Sequence, residues 1–503
     1  MSKAVKHNIV KSVAIVTFFS VATRFLSFIY KILISRYFGA EAVGIFQMSL
    51  SFLMFFISLT CSGLPLILSR KIAEMQGKNK LDEYKKVTFC LLFSLAICSV
   101  IAVILIFAKN LLSMYFQNSK AVSVFYILLP ALFTTTFYSI IRAWFLGNKQ
   151  FLTFSGTELL EEVAKILLTF LFTLTIASMG KEKIIALVVT ASDFLCVIVL
   201  LILYFIKGGR LVNPNNNFDL VKNSAPITLS RILGSLIGAF SAFIIPFKLM
   251  EYGASTSFAT ATYGRFTGMC MPLINAPSAL IGSLAVVLIP EIAGLKCQKN
   301  NNIQQKIEYS LTFTILTAGI FVAIYLPLGK EICELVFNDG ISGKYVSACS
   351  AIIFPLVVNQ LTTSLLNTLN KEKNTLVNFI IGSIPMIFIL IFLPKSMGIL
   401  ALGLGIFVAF SVTALLNLYT LNKIYKLSFK CYKSIFLCLC YSLLTAYLLE
   451  LVNRSLDLSN LVSLIICCII GSAVYFLLCY FSGLVPTNLF KIKIFGKKCN
   501  KIC

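Results

Sequence analysis

The 503-residue chain carries 43 Lys and Arg against 19 Asp and Glu, a net charge of +24, yet only 12% of its residues are charged and 58% are hydrophobic, with a mean hydropathy of +0.93. A soluble domain is about one-quarter charged, and no polar stretch here is long enough to fold as a domain of its own; residues 69–86 and 291–308, the longest connectors, reach a helix or two. A soluble enzyme and a nucleic-acid-binding domain are thereby excluded, and the chemistry falls within a bilayer.

Span one, residues 9–34, is too long for the apolar core of a signal peptide and lacks a small-residue cleavage site, so it is expected to stay in the mature protein. Ser20, Arg24, Ser27 and Lys31 recur on it at steps of four, three and four, which gathers them on one helical face. Arg24 lies more than two turns inside. A guanidinium stays charged at any physiological pH, and at membrane depth it costs at least about 2.5 kcal/mol, so it predicts a wet cavity or an anion to face. Span two, 43–68, adds Gln47 and Ser51 and closes on Leu64-Pro65. Spans three to six are 87–108, 121–145, 159–179 and 184–206. Span four holds Pro130 and, on one face, Thr135, Ser139 and Arg142. Span five opens on Glu161 and Lys165, spaced as a helix-surface ion pair, and span six holds Asp193, the main carboxylate at depth.

Span seven, 222–247, carries Thr228, Arg231 and Ser235 on one face; span eight, 264–289, starts near Arg265 and ends at Pro290. Spans nine to twelve are 310–328, 346–369, 376–393 and 399–421, and span ten carries Pro355 and the stripe Asn359, Thr363, Asn367 and Asn370. Spans thirteen and fourteen are 434–452 and 461–481. Each has roughly the 17–25 residues that a bilayer requires. Basic residues concentrate on alternate connectors: Lys3 and Lys6 before span one, Arg70 to Lys86 after span two, Lys423 to Lys433 after span twelve, Lys491 to Lys501 in the tail. The positive-inside bias predicts a multi-pass protein of the cell membrane with both termini cytoplasmic, and the surplus charge meets anionic lipid rather than nucleic acid.

The chain contains an internal echo. Pro65 and Pro290 are 225 residues apart (290 − 65), as are Pro130 and Pro355 (355 − 130), and Thr23-Arg24-Phe25-Leu26 echoes Ser230-Arg231-Ile232-Leu233. Six spans per copy is an even number, so the copies share orientation about an axis along the membrane normal. The expected architecture is an all-α polytopic membrane protein of about 14 helices, with six-helix bundles over residues 1–210 and 211–425 and two appended helices with a basic tail over 426–503. Pro65, Pro130, Pro290 and Pro355 remove backbone hydrogen bonds within spans and are the candidate hinges.

The polar stripes fall on equivalent helices, which predicts a cavity rich in hydroxyls, amides and guanidinium groups. Such a cavity favours an anion, and the Arg fork suits phosphate. Arg24, Arg231, Arg265, Lys31, Ser27, Gln47 and Asn359 are its candidate substrate contacts, and Asp193, Glu161 and Lys165 a coupling group or a structural ion pair. Long cations near span ends also snorkel, the plain alternative for Lys31, Arg142, Arg231 and Arg265. The one His is His7, so no His-based triad or zinc site can be built, and no Walker-type phosphate loop is present. The sixteen Cys lie mostly in spans without a metal-binding spacing. No metal, cofactor or catalytic residue is expected, and the chain is read as a non-enzyme.

The segments Thr23–Lys31, Arg36–Glu41, Gly44–Met48, Ser62–Pro65 with Ser69–Glu74, and Tyr263–Met269 through Asn275 to Pro290 resemble the stage V sporulation protein B branch of polysaccharide flippases, related to MurJ-type lipid II flippases and MATE exporters. The resemblance covers most of the chain and is less specific beyond about residue 430. It implies two six-helix bundles plus two helices, alternating access, and a cargo of undecaprenyl-pyrophosphate-linked saccharide, a peptidoglycan precursor for spore cortex, with membrane lipids and cell-wall synthases as partners. Arg24 matches a span-one arginine that MurJ-type proteins need. The chain departs from MurJ at Tyr30-Lys31, where a second arginine and an aspartate are usual, and at Pro272, near a span-eight arginine position, with Arg265 seven residues earlier. Two other readings stand beside it: a cation-coupled multidrug exporter of MATE type, and a non-transporting scaffold of envelope synthesis.

Overall fold

In a bilayer the chain has no water to take its backbone hydrogen bonds, so it satisfies them inside helices. The computed structural model describes residues 3–75, 80–176, 178–215, 217–282, 303–369, 371–455 and 461–484, and among these there is no strand. The first helices are α1 (Lys3–Cys61), α2 (Leu64–Met75), α3 (Lys80–Phe107), α4 (Lys109–Phe116), α5 (Ser119–Leu128), α6 (Ala131–Gly147), α7 (Phe151–Thr175), α8 (Lys181–Ile206), α9 (Phe218–Glu251) and α10 (Thr256–Gly264). A π-helical turn, Arg265–Cys270, joins α10 to α11 (271–282). Then come α12 (Ile303–Phe337), α13 (Gly340–Cys349), α14 (Ile353–Thr368), α15 (Glu372–Phe392), α16 (Pro394–Met397), α17 (Leu400–Tyr425), α18 (Phe429–Ser455) and α19 (Leu461–Phe481).

Eleven helices among the described residues are long and apolar enough to cross a membrane. One of them, Val16–Thr60, is interrupted at Gly39, whose φ of 85° and ψ of 170° suit glycine and leave the helix. α7 is 25 residues long but carries Glu158, Glu161, Glu162 and Lys165 in its middle, and it is not among the eleven. The chain is thus a multi-pass membrane protein, and its surface agrees: Phe25, Phe107, Leu111, Leu174 and Phe392 stand exposed, while Ser49, Thr136, Ser192 and Asn417 are buried.

The prolines sit where helices begin. Pro65 lies in the first turn of α2, after Ser62 and Gly63 leave the helix. Pro130 separates α5 from α6, and Pro355 falls in the first turn of α14, after the 3-10 turn Ser350–Ile352. A first-turn proline loses no intrahelical hydrogen bond. Pro290 lies outside the described residues, as does Asn370.

The chain divides into two compact units, one of Met1–Leu273, Val336–Asn338 and Phe379–Ala409, the other of Ile274–Leu335, Asp339–Asn378 and Phe410–Cys503. In the first, Leu68, Ile72, Cys90, Ile141, Trp144 and Tyr204 lock α2, α3, α6 and α8 into one apolar core. At the start of its second half, α1 meets α10 backbone to backbone. A Cβ added at Gly44 would lie 2.0 Å from the Thr260 carbonyl oxygen, and one at Gly264 would lie 2.1 Å from that of Ala40.

Candidate functional site

Four helices of the first unit enclose a cavity of about 260 Å³. α1 contributes Ser27, Tyr30 and Lys31 before its break and Gln47 after it; α6 contributes Thr135 and Tyr138, α7 Glu161, Glu162 and Lys165, and α8 Asp193. Steps of three, four and seven residues put each group on one face of its helix.

Two lysines and three carboxylates therefore share one space, with one negative charge in excess when all are ionised. Lys165 is held within α7: its Nζ donates to Glu161 Oε1 at 2.6 Å and to Glu162 Oε1 at 3.3 Å. These side chains are 13%, 20% and 12% exposed, so solvent screens them weakly. Asp193 Oδ2 accepts a hydrogen bond from the Thr135 hydroxyl at 3.4 Å, and among the described residues it has no ion pair. Lys31 is likewise without an ion pair among the described residues. The Tyr30 side chain is 6% exposed, and its hydroxyl has no hydrogen-bond partner among the described residues. Such an arrangement can bind a polar or charged guest; three of its five charges are spent on one another, and those of Lys31 and Asp193 are not.

Of the residues expected to act together, Ser27, Lys31, Gln47, Glu161, Lys165 and Asp193 meet on this cavity. Arg24 does not line it. It lies on the stripe of Ser27 and Lys31, one turn nearer the N-terminus, exposed, and no carboxylate pairs with it among the described residues. Arg231 is exposed and donates from Nη1 to the Ser62 carbonyl at 2.7 Å. Arg265 opens the π-helical turn, half-buried. Arg142 pairs with Glu158 at 2.9 Å and stacks 4.2 Å from the Phe154 ring. Asn359 belongs to the second unit, where its Oδ1 accepts from the Thr363 hydroxyl at 3.2 Å and from Asn417 Nδ2 at 3.3 Å. Asn378 donates to Asn417 Oδ1 at 2.8 Å, closing an amide knot of α14, α15 and α17.

Glu162, Tyr30 and Tyr138 were absent from the expected set. The signal for Glu162 was present: an acidic pair beside a lysine inside an apolar stretch reads as more than one surface salt bridge. The tyrosines gave none, since a Tyr within a span is ordinary packing.

The model of a family described as "Polysaccharide biosynthesis protein" matches residues 9–296. Stage V sporulation protein B of Bacillus subtilis (strain 168) is 24% identical over 447 residues, 84% of this chain and 86% of that protein. Among solved structures, the lipid II flippase MurJ in an inward closed conformation superposes with a TM-score of 0.72 at 14% identity, covering 93% of this chain and 98% of that one. An inward-facing multidrug resistance MATE family transporter of the MOP superfamily superposes with a TM-score of 0.68 at 14% identity, covering 80% and 94%. These two likenesses establish the fold; both solved proteins move other molecules rather than convert them.

Proposed function

The chain belongs to the polysaccharide biosynthesis protein family, and from that premise we propose that it is a flippase for undecaprenyl-pyrophosphate-linked saccharide, working by alternating access in the cell membrane with both termini in the cytoplasm. A peptidoglycan precursor for spore cortex is the proposed cargo, and cell-wall synthases are the proposed partners. Fourteen spans are proposed: the eleven above, a second from the break at Gly39, α7, and one running on from α10. Residues 1–210 and 211–425 form the two repeated halves of this reading, 426–503 is appended, and the helix breaks at Pro65, Pro130 and Pro355 are its hinges, with Pro290 as a fourth.

The observation that carries the reading is the stripe of Arg24, Ser27 and Lys31. It holds two cations without carboxylate partners among the described residues, and it leads from an exposed site into a polar cavity. Arg24 and Lys31 would neutralise the pyrophosphate, with Arg231 and Arg265 as further cations; Ser27 and Gln47 would bond the head group. The amide of Asn359, already committed within its knot, would act there only after exchanging partners. A guest shifts two states only through a difference in its binding to them, so the cations must hold pyrophosphate more tightly in one exposure. Translocation of a fluorescent undecaprenyl-pyrophosphate disaccharide in proteoliposomes tests this. A charge-assisted contact is worth about 1.5–3 kcal/mol, so Arg24→Ala is expected to slow it about tenfold or more in folded protein. Unchanged translocation overturns the role of Arg24. Restored growth of cells depleted of their lipid II flippase tests the cargo.

The three carboxylates favour a second reading, a cation-coupled exporter of MATE type, in which Asp193 takes the cation. Drug efflux that follows a sodium or proton gradient and ignores lipid-linked saccharide would select it.

A further inference from the structure

Three polar residues on successive turns of α9 fasten the C-terminal end of α1. The Gly63 N–H donates to Thr228 Oγ1 at 3.1 Å, Arg231 Nη1 donates to the Ser62 carbonyl at 2.7 Å, and the hydroxyls of Ser235 and Ser58 meet at 2.6 Å. Gly63 allows this approach, since a Cβ there would lie 2.5 Å from Thr228 Oγ1 and 2.6 Å from the Ser224 carbonyl oxygen. The Ser62 carbonyl lies where the helix stops and is one of the acceptors that a helix end leaves without an intrahelical donor; the guanidinium supplies one.

The hydroxyl pair is soft. Ser58 Oγ also reaches the Phe55 carbonyl at 2.7 Å, and Ser235 Oγ the Ile232 carbonyl at 3.0 Å. Two hydroxyl protons serve three acceptor positions, so if the helices part, each hydroxyl turns back to its own helix and nothing is left unsatisfied. Arg231 is exposed and Ser62 half-buried, so the guanidinium and the carbonyl can exchange partners; Gly63 is buried, which makes its N–H bond the costliest of the three to release. Beside the contact runs a crevice of about 390 Å³, walled by Leu59, Leu64, Phe93 and Leu229 and touching Thr228 itself. Its seam is therefore already partly open.

The other end of the same stretch of α1 is built differently. There the backbones of Gly44 and Gly264 pack with no side chain between them, and Glu41 accepts from Ser257 at 2.7 Å and pairs with Lys120 at 3.5 Å. Separating bare backbones strips dispersion contacts from both with nothing to replace them. Between the two ends α9 carries Pro246, which removes a hydrogen bond where a helix can bend.

We infer that Thr228, Arg231 and Ser235 form a releasable latch on the end of α1, and that α9 swings off this end while the Gly44–Gly264 contact stays closed as a pivot. The inference rests on the flippase reading for its purpose but not for its geometry. By the basic connector after α2, the latch faces the cytoplasm.

Crosslinking tests it. With native cysteines replaced, the S58C/S235C protein forms a disulfide on mild oxidation. Oxidation is expected to slow translocation of the fluorescent undecaprenyl-pyrophosphate disaccharide at least about tenfold, a barrier increase near 1.4 kcal/mol, with dithiothreitol restoring it and either single-Cys protein unaffected. A crosslinked protein that translocates as fast as the reduced one overturns the latch, and so does a pair that cannot be crosslinked. A second readout needs no transport. Maleimide labelling of Ser58→Cys should speed up several-fold when Arg231→Met removes the middle bond; an unchanged labelling rate overturns the latch. Absence of translocation in the reduced protein would count against the flippase reading, and the labelling result would still decide the latch.

Discussion

The cavity of α1, α6, α7 and α8 and the knot of α14, α15 and α17 are both polar interiors, but they are finished to different degrees. In the knot, Asn359, Asn378, Asn417 and Thr363 bond one another, and Asn417 is fully buried. Neutral amides that satisfy each other need no guest. In the cavity, Lys165 is satisfied twice over by Glu161 and Glu162, whereas Lys31 and Asp193 stand without ion pairs among the described residues around about 260 Å³ of space. Uncompensated charge at membrane depth is the mark of a functional group rather than of a strut. Under the proposed function, one polar region gives stability and the other exchanges with a guest.

Substitutions can break that assignment. Lys165→Met leaves Glu161 and Glu162 facing each other at low dielectric, and removing one partner of a buried pair costs about 3–5 kcal/mol. Thermal unfolding in detergent should show the largest drop in Tm of the set, and Glu161→Gln with Glu162→Gln in the same protein should recover most of it. If Lys165→Met unfolds like the parent, the cluster is solvated and the contrast with the knot fails. Asn417→Leu strands the donor of Asn378 and is expected to cost about 1–3 kcal/mol, with the translocation rate per folded molecule unchanged. A rate that falls in step with stability would instead put the knot in the transport cycle. Asp193→Asn removes the charge but keeps an amide oxygen able to accept the long hydrogen bond from Thr135, and should cost less than about 1 kcal/mol. Its effect belongs to transport: the dependence of translocation on an imposed cation gradient should change while Tm does not. An identical gradient response would return Asp193 to the class of structural residues.

Much of this was legible in advance. Hydropathy and basic connectors point to a multi-pass helical protein, and spacing alone places Ser27 and Lys31 on the face that lines the cavity. Glu161 and Lys165 read as a local pair because the sequence shows only i,i+4 neighbours; that Asp193 and Lys31 converge on them depends on how four helices pack. Arg231 gives the opposite case. Its stripe with Thr228 and Ser235 looks like a cavity lining, and in the structure all three bond to the end of a neighbouring helix. Periodicity identifies a polar face but not what lies opposite. Hydropathy places Pro130 and Pro355 inside spans and Pro65 at the close of one, whereas all three sit at helix starts, because the breaks just before them are too short for a hydropathy window to register.

The π-helical turn at Arg265–Cys270 bears on how the stretch from α10 to α11 is matched to distant homologues. Such a turn holds one residue more than an α-helical turn, and one residue is about 100° of rotation. Every side chain from residue 271 to 282, Pro272 and Asn275 included, is thus turned by more than a quarter circle from where an uninterrupted helical wheel draws it. A position-by-position comparison that crosses this point pairs residues with unlike orientations. The arginine position that the resemblance to MurJ-type flippases implies near Pro272 should be sought by direction in space, with the column shifted by one beyond the bulge.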